Sequence, residues 1–283
     1  ILGDANVDMI LNLSDKQNLR EPSLFSGGSS ANVASGLSKL GIDVSFFGSL
    51  GKDIYGKHVV DEMRSDGIDI SNLELLDNYN TAMVIGVVEE SSERHFFLWP
   101  PINGAHNQYT LYDTSRKDFL DCDWLHVSGI SLRFSPVKET MLEAMRLCNE
   151  KSKIVSFDLN LRSELWGFSE SFKETVLEAV SYSSIVFGNL HEEFLLIYDG
   201  NEDTLDKHIS EKQTFICRDG HNGALGITNK DKVISNAIPI SPIDSVGAGD
   251  AFNTGYIYAS CCGKDIEQSL DIGNQVAAFK LLG

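Results

Sequence analysis

Short apolar runs alternate with amphipathic segments along most of the chain. The apolar runs are typical of buried strands, and apolar residues spaced by three and four are typical of helices. The predicted strands are Val44–Gly48, Trp124–Ser128, Ile154–Asp158, Ile185–Gly188 and Thr214–Arg218. The predicted helices are Ser30–Leu40, Tyr55–Ser65, Pro136–Glu150, Ser169–Ser181 and Gly249–Cys262. Strands that alternate with helices predict an α/β fold with a mostly parallel central sheet and right-handed crossovers.

One region departs from this alternation. Ala82–Glu89 and Arg94–Trp99 have the pattern of two strands joined by a polar tip, with no helix between them. This pattern predicts an antiparallel hairpin, and the extended segment Asp8–Leu13 can add to the same small sheet. We therefore predict a small β-lid, formed from about 8–27 and 80–102, beside the main α/β body. The alternative is an ordinary hairpin at the edge of the sheet.

The composition limits the class of protein. The 283 residues contain no internal repeat and no Pro/Ser-rich linker, so residues 1–283 are predicted to form a single domain. A net charge of −18 disfavours nucleic acid and anionic membranes as partners, and no apolar run is long enough to span a bilayer. The five cysteines are scattered, without a Cys-x-x-Cys pair, which favours reduced thiols and a cytoplasmic location.

The segment from Asp244 to Phe252 is the strongest candidate for chemistry. Gly247, Ala248 and Gly249 precede a predicted helix, and such small residues let backbone N–H groups approach an anion closely. Asp250 lies in the first turn, where it can accept the proton of an attacking hydroxyl group. The alternative is a tight loop whose aspartate only caps the helix.

A second glycine turn, Gly27-Gly28-Ser29-Ser30-Ala31-Asn32, also leads into a predicted helix. Close backbone approach at Gly28 and hydrogen bonds from Asn32 would suit a polyol, whereas the alternative is a helix capped by a serine. Asn6 and Asp8 are two residues apart on a predicted strand and therefore share one face. A neighbouring amide and carboxylate suit adjacent sugar hydroxyl groups.

Polar residues also follow three predicted strands, at the sheet edge where α/β proteins bind ligands. They are Asp158 and Asn160, Asn189 and Glu192, and Asp219 and Gly220. The Asn189-x-x-Glu192 pair offers the oxygen ligands that Mg²⁺ prefers. Its alternative is a helix cap followed by an acidic first turn.

Several common motifs are missing from the sequence. There is no Gly-x-x-x-x-Gly-Lys-[Ser/Thr] loop, no Gly-x-Gly-x-x-Gly after the first strand and no Gly-x-Ser-x-Gly elbow. The remaining elements are a cradle of amides, a carboxylate, oxygen ligands for a metal and a site for a polyol. Phosphoryl transfer to a hydroxyl group uses all four.

The two glycine motifs, in this order and about 200 residues apart, resemble those of the ribokinase-like sugar kinases, the PfkB carbohydrate kinase family. The first motif continues as Val33-Ala34-Ser35-Gly36-Leu37-Ser38-Lys39-Leu40-Gly41, and the second is Asp244–Phe252. The resemblance extends from residue 1 to about residue 280. It implies a three-layer sandwich with a β-lid, an ATP-dependent kinase that uses Mg²⁺, and dimers formed through the lid.

The resemblance also implies roles for single residues. Asp250 would be the catalytic base, and the amides of Gly247, Ala248 and Gly249 would form the anion hole. The implied sugar-binding positions are Asn6, Asp8, Gly28 and Asn32, together with Asn160 and Arg162 as further substrate contacts. The implied nucleotide and metal positions are Asn189 and Glu192 (Mg²⁺ through water), Asp219, Gly220 and Gly223 (nucleotide), and Asp244 (a monovalent cation such as K⁺).

The departures from the family pattern bear on the substrate. Ser29 stands where ribokinases commonly have lysine, which disfavours ribose. Asp158-Leu159-Asn160-Leu161-Arg162 is similar to a segment of fructokinases and 2-keto-3-deoxygluconate kinases, but the arginine that the keto-acid kinases often carry near the lid is missing from Trp99–Ala105. We therefore expect a neutral hexose such as fructose. The alternatives are 2-keto-3-deoxygluconate, ribose or a nucleoside, and a catalytically weak sugar- or nucleotide-binding regulator.

Overall fold

The main sheet has six strands in the order β12-β11-β10-β9-β8-β7. The strands are β7 (Trp124–Ser128), β8 (Ile154–Asp158), β9 (Ile185–Asn189), β10 (Thr214–Arg218), β11 (Ala224–Ile227) and β12 (Lys232–Ser235). The structure is a computed structural model, and it describes residues 1–12, 22–88, 94–100, 103–111, 119–198, 200–241 and 246–283. Strands β7 to β10 pair in parallel, and β11 and β12 add antiparallel at the edge. The four predicted parallel strands are therefore confirmed, whereas β11 and β12 were missed.

The N-terminal segment continues the sheet beyond β7. Leu2 forms parallel bridges with both Val127 and Phe47, and its side chain is fully buried. The predicted strand Val44–Gly48 is buried as expected, but regular pairing begins only at β3 (Gly48–Gly51), which pairs in parallel with β4 (Leu73–Leu76).

Helices cover both faces of this sheet, because parallel strands buried on both sides need apolar partners above and below. The helices of the described residues are Ser29–Lys39, Ile54–Ser65, Val137–Glu150, Ser163–Trp166, Glu170–Ser181, Leu195–Ile197, Ala248–Cys261 and Ile266–Leu281. One core contains Val127, Val155 and Phe215, and the other contains Phe187, Ile216 and Phe252. The three-layer α/β architecture is confirmed.

The five predicted helices are confirmed to within one residue at each end, but helix Ile266–Leu281 was missed. It packs against helix Ala248–Cys261, which we call the Asp250 helix. A Cβ atom on Gly255 would lie 2.8 Å from the carbonyl oxygen of Ile272, so glycine is what allows the two helices to approach so closely.

The lid is a separate four-stranded sheet in the order β2-β1-β5-β6. Its strands are β1 (Asn6–Asn12), β2 (Ser23–Gly27), β5 (Met83–Val88) and β6 (Arg94–Trp99). The predicted hairpin is confirmed as the antiparallel pair β5-β6, and β1 joins it as expected. The β1-β5 pair runs parallel, so the small sheet is mixed, with antiparallel pairs at both edges.

Candidate active site

The two glycine turns of the sequence meet at the carboxylate of Asp250. Ser29 Oγ donates a hydrogen bond of 2.7 Å to Oδ1, and Asn32 Nδ2 donates one of 2.8 Å to Oδ2. The pKa of Asp250 is raised to about 6, because burial and, to a smaller extent, the charges of Asp158 and Asp4 raise it by more than the two hydrogen bonds lower it. The carboxylate is therefore held in place, and its pKa lies close to neutral pH, as a general base requires.

The Asp250 helix begins without a capping side chain among the described residues, unlike three other helices of the protein. Helices Ile54–Ser65, Glu170–Ser181 and Ile266–Leu281 are each capped by an Asp or Ser side chain. The residue before the Asp250 helix is Gly247, which has a left-handed φ of 77°, and no side chain in the described residues caps this end. The first-turn N–H groups, which include those of Ala248 and Gly249, therefore have the geometry of an anion site.

Asp4 is a site residue that the sequence reasoning missed. It accepts hydrogen bonds from the N–H of Ser29 at 2.8 Å, the N–H of Ser30 at 3.2 Å and the Oγ of Ser30 at 2.8 Å. These bonds fix the start of helix Ser29–Lys39 and so place Ser29 against Asp250. Gly28, with a φ of 103°, leaves no room for a side chain, because its Cβ would lie 2.7 Å from the Asp4 carbonyl oxygen. The signal for Asp4 was its place directly after the strand-like segment Ile1–Gly3.

Asn6 and Asp8 lie together on β1, as the spacing predicts. Asn6 Nδ2 donates a 2.7 Å hydrogen bond to Asp8 Oδ1. Burial raises the pKa of Asp8, although the bond from Asn6 lowers it. Gly27 packs against this carboxylate, since a Cβ there would lie 2.5 Å from Asp8 Oδ2. The lid thus carries the Asp8 carboxylate as a hydrogen-bond acceptor, with its orientation fixed by the neighbouring Asn6 amide.

Asp158, at the end of β8, forms a buried ion pair that the sequence did not reveal. Arg218 donates to it through both terminal nitrogens, at 2.8 and 3.1 Å, and Asn253 Nδ2 donates at 2.7 Å. Arg218 Nη1 also donates to Asn253 Oδ1 at 3.0 Å. Because Asn253 belongs to the Asp250 helix, this network ties that helix to β8 and β10.

The two predicted substrate contacts after β8 lie in different surroundings. Asn160 is buried and donates to Ser128 Oγ at 3.0 Å. Arg162 is exposed, and its guanidinium lies 3.9 Å from Glu164. Both residues have a left-handed backbone, with φ of 35° and 47°. The site role of Arg162 stays a prediction.

Asn189 caps the turn that follows β9. Its Oδ1 accepts the N–H of His191 and of Glu192, each at 2.9 Å, so the cap that the sequence left open as an alternative is present. Glu192 is exposed, whereas Glu193 is buried and accepts the N–H of Leu161 and of Asn189 at 2.7 and 2.6 Å. Sequence reasoning missed Glu193, because only the fold distinguishes the two neighbouring carboxylates.

The third strand end, after β10, adjoins this turn. Asp219 Oδ1 lies 3.1 Å from His191 Nε2, and Asp219 Oδ2 accepts a hydrogen bond from Asn222 at 3.0 Å. Gly220 and Gly223 both have a positive φ and shape the turn between β10 and β11. The predicted nucleotide positions and metal positions are thus neighbours. Asp244, the predicted cation ligand, lies outside the described residues.

The donor chemistry of the site fits a magnesium nucleotide in part. Exposed Glu192 offers carboxylate oxygens of the kind that bind Mg²⁺ through water. Asn189 Oδ1 already accepts two N–H groups, so its part is to orient the turn that carries Glu192. Within the described residues, no group of three or more His, Cys, Asp or Glu side chains is placed to hold a metal ion.

Among the helices of the described residues, none combines the length and the apolar character that a membrane span requires.

Comparison with known proteins gives a consistent result. A family model described as pfkB family carbohydrate kinase matches residues 1–282. The aminoimidazole riboside kinase of Salmonella typhimurium (strain LT2) is 31% identical over 91% of this chain and 79% of its own length. The fructokinase of Salmonella typhimurium is 29% identical over 91% of this chain and 82% of its own length. The crystal structure of fructokinase from Vibrio cholerae O395 in fructose-, ADP- and calcium-bound form is 26% identical, with a TM-score of 0.84 over 99% of this chain and 91% of that chain.

Proposed function

Because the chain belongs to the pfkB family of carbohydrate kinases, we propose that its acceptor is a neutral hexose such as fructose. The protein is a phosphotransferase that acts on a sugar hydroxyl group, with ATP as the donor. The observation that carries the assignment of phosphoryl transfer to this site is the carboxylate of Asp250, held by Ser29 and Asn32 at the start of a helix that no described side chain caps.

The chemistry assigned to Asp250 is removal of a proton from the attacking hydroxyl, which is best supplied by a primary alcohol. The new bond joins the sugar oxygen to the γ-phosphorus, the bond between that phosphorus and the bridging oxygen breaks, and ADP leaves. With a pKa of about 6, most Asp250 side chains are ionised at neutral pH and can accept the proton. General-base assistance of this kind typically contributes about 10²–10⁴-fold to the rate.

The amides of Gly247, Ala248 and Gly249 are assigned to the transferring phosphoryl group. First-turn N–H groups and the helix dipole stabilise negative charge at that end. A bound Mg²⁺ would neutralise phosphate charge, and Glu192 is the residue proposed to hold it through water. Asp219, Gly220 and Gly223 are proposed to line the nucleotide, and Asp244 a monovalent cation such as K⁺.

The charges around the acceptor side favour a neutral sugar. Asp8 and Asp250 present carboxylates there, which can accept hydrogen bonds from hydroxyl groups but repel a carboxylate substrate, and the buried Asp4 behind them adds negative charge. The candidate cation, Arg162, is exposed and close to Glu164. A cavity of about 160 Å³ beside Asn32 is also lined by Glu62, Asp66 and Lys39, and the Lys39 ammonium lies 3.0 Å from the Asp66 carboxylate, so its charge is already paired. These contacts argue against 2-keto-3-deoxygluconate.

The relatives point in the same direction, since two of those compared above are fructokinases. A ribosylated base is the second candidate, because the relative at 31% identity is named aminoimidazole riboside kinase. The position of Phe25 also favours a ribosylated base as the substrate. This ring is 54% exposed and pairs across strands with Asp8, on the same lid face, where it can stack on a base.

The proposed acceptor is tested by ADP release with ATP and Mg²⁺ and a panel of fructose, tagatose, ribose, 2-keto-3-deoxygluconate, adenosine and aminoimidazole riboside. We expect the highest kcat/KM with fructose. A higher value with a riboside, lost selectively in Phe25→Ala, would replace the hexose by the second candidate. Turnover with an acidic sugar above that with fructose would contradict the charge argument.

The lid is proposed to close over the sugar and to form a homodimer through its other face. The side chains on the other face of the lid sheet, away from Asp8, are apolar. On that face Met9 pairs across strands with Leu24 and Ile85, and Ile85 pairs with Phe97. Leu24 and Phe97 are 38% and 58% exposed. A second copy of the same sheet would cover this face.

A further inference from the structure

Arg218 lies at the centre of the buried network beneath the Asp250 helix. Its side chain is 16% exposed, and that of Asp158 is 2% exposed. Both terminal nitrogens of the guanidinium reach the Asp158 carboxylate, in the forked geometry that lysine cannot reproduce. Burial lowers the pKa of Arg218, but Asp158 and Glu193 raise it more, and the net shift is upward. A buried, charged arginine is therefore matched to its carboxylate.

The same guanidinium touches the Asp250 helix in two places, at Gly249 in the first turn and at Asn253 in the second. Its Nη1 donates to Asn253 Oδ1 at 3.0 Å, and Asn253 is fully buried. A Cβ atom on Gly249 would lie only 2.9 Å from Nη1, so the backbone of the turn rests directly on the charged group. The position of the turn thus depends on where Arg218 is held.

Arg218 also reaches the other strand end of the site. Its Nη2 lies 3.7 Å from Glu193 Oε2, and Glu193 accepts the N–H of Leu161 and of Asn189. One side chain therefore links the Asp250 helix, the segment after β8 and the turn after β9. These are the elements assigned to the base, the sugar and the nucleotide.

We propose that Arg218 is a positioning residue for phosphoryl transfer, which holds the first turn of the Asp250 helix, and with it Asp250 and the amide donors, in place against the ends of β8 and β10. This proposal rests on the function proposed above for that turn. A displacement of about 1 Å in such a constellation can cost on the order of 10² in rate. Because the amides act on charge that develops in the transition state, the loss should fall on kcat rather than on KM.

The experiment separates positioning from simple structural support. Arg218→Met leaves Asp158 buried without its cation, and we expect Tm to fall on the order of 10 °C and kcat on the order of 10²-fold. In the double variant Asp158→Asn/Arg218→Met the unpaired charge is gone, so most of the loss in Tm should be recovered. The kcat should remain at least tenfold low, with both KM values within about threefold of the wild type.

A kcat that recovers together with Tm in the double variant would overturn the proposal, because Arg218 would then only stabilise the fold. Arg218→Lys serves if Arg218→Met does not fold, since it keeps the charge but loses the fork, and wild-type kcat in this variant would also overturn the proposal. The matched control is Arg146→Met, because Arg146 binds Glu143 and Glu150 on an exposed helix face. This substitution should leave Tm and kcat unchanged.

Asp250→Asn, measured in parallel, separates a failure of the proposed base from a failure of the role proposed for Arg218. Wild-type turnover in that variant would refute the proposed base, whatever the Arg218 variants do. Loss of turnover in Asp250→Asn, together with normal kcat in the double variant, would refute only the role of Arg218.

Discussion

Replacing Asp250 with asparagine is expected to slow the enzyme and to stabilise its fold at the same time. The carboxylate has a pKa of about 6 in the folded protein, against the ordinary aspartate value of 3.8. Because this pKa is raised, the group contributes stability below about pH 4 and loses that contribution as the pH rises through 6. At about 1.36 kcal/mol per pKa unit, ionising Asp250 at pH 8 costs about 3 kcal/mol of folding free energy.

The variant avoids this cost but loses part of its hydrogen bonding. Ser29 can still donate to the amide oxygen, whereas the Asn32 amide, which donates to Oδ2 in the wild type, would face a second NH₂ group. That mismatch costs about 1 kcal/mol, so the net gain at pH 8 is about 2 kcal/mol. The change of this stability difference with pH is a sharper test than its size at one pH, since the free-energy cost of ionising Asp250 at pH 5 is about half of its value at pH 8.

The assay is urea unfolding of both proteins at pH 5, 6.5 and 8, with ADP release measured on the same samples. The stability difference in favour of the variant should grow by about 1.5 kcal/mol between pH 5 and pH 8. The kcat should fall by about 10²–10⁴-fold. Asp206→Asn, at an exposed position, is the control and should change neither quantity.

Two results would refute this reasoning. A stability difference that does not vary with pH would mean that Asp250 does not titrate near pH 6. Turnover within tenfold of the wild type would mean that Asp250 is not the base. The combination of lower activity and higher stability is typical of a group whose placement serves catalysis at the expense of the fold.

The remaining predictions concern other parts of the site. The kcat/KM of the wild type should fall about tenfold per unit below pH 6, and a flat profile between pH 5 and 7 would exclude Asp250 as the titrating base. Gly27→Ala places a methyl group against Asp8, whose Oδ2 would lie 2.5 Å away, and should raise the KM for the sugar by about tenfold with that for ATP unchanged. Glu192→Gln should raise the Mg²⁺ concentration for half-maximal rate with little change in Tm, and an unchanged Mg²⁺ dependence would remove Glu192 from metal binding. Phe97→Glu should convert the proposed lid dimer to a monomer in sedimentation analysis, and an unchanged mass would contradict that interface.

The central sheet and the start of the Asp250 helix could be predicted from the sequence because both are local patterns. The apolar runs at β7 to β10 are buried on both faces, so each is continuous and easily recognised. Helix Ile266–Leu281 was missed, and only its packing against the Asp250 helix shows its position. Strands β11 and β12 are short, and their burial is decided by neighbours distant in sequence.

In the candidate site, too, some features follow from the sequence and others only from the fold. The sequence by itself determined which backbone turns can approach a ligand, because Gly247, Gly249 and Gly28 have no side chain to block it. Only the tertiary structure decided which side chains hold one another: Ser29 with Asp250, 221 residues apart, and Arg218 with Asp158, 60 residues apart. The physical reason is that a buried charge must find its partner wherever the folded chain brings one, and no local pattern of residues records that choice.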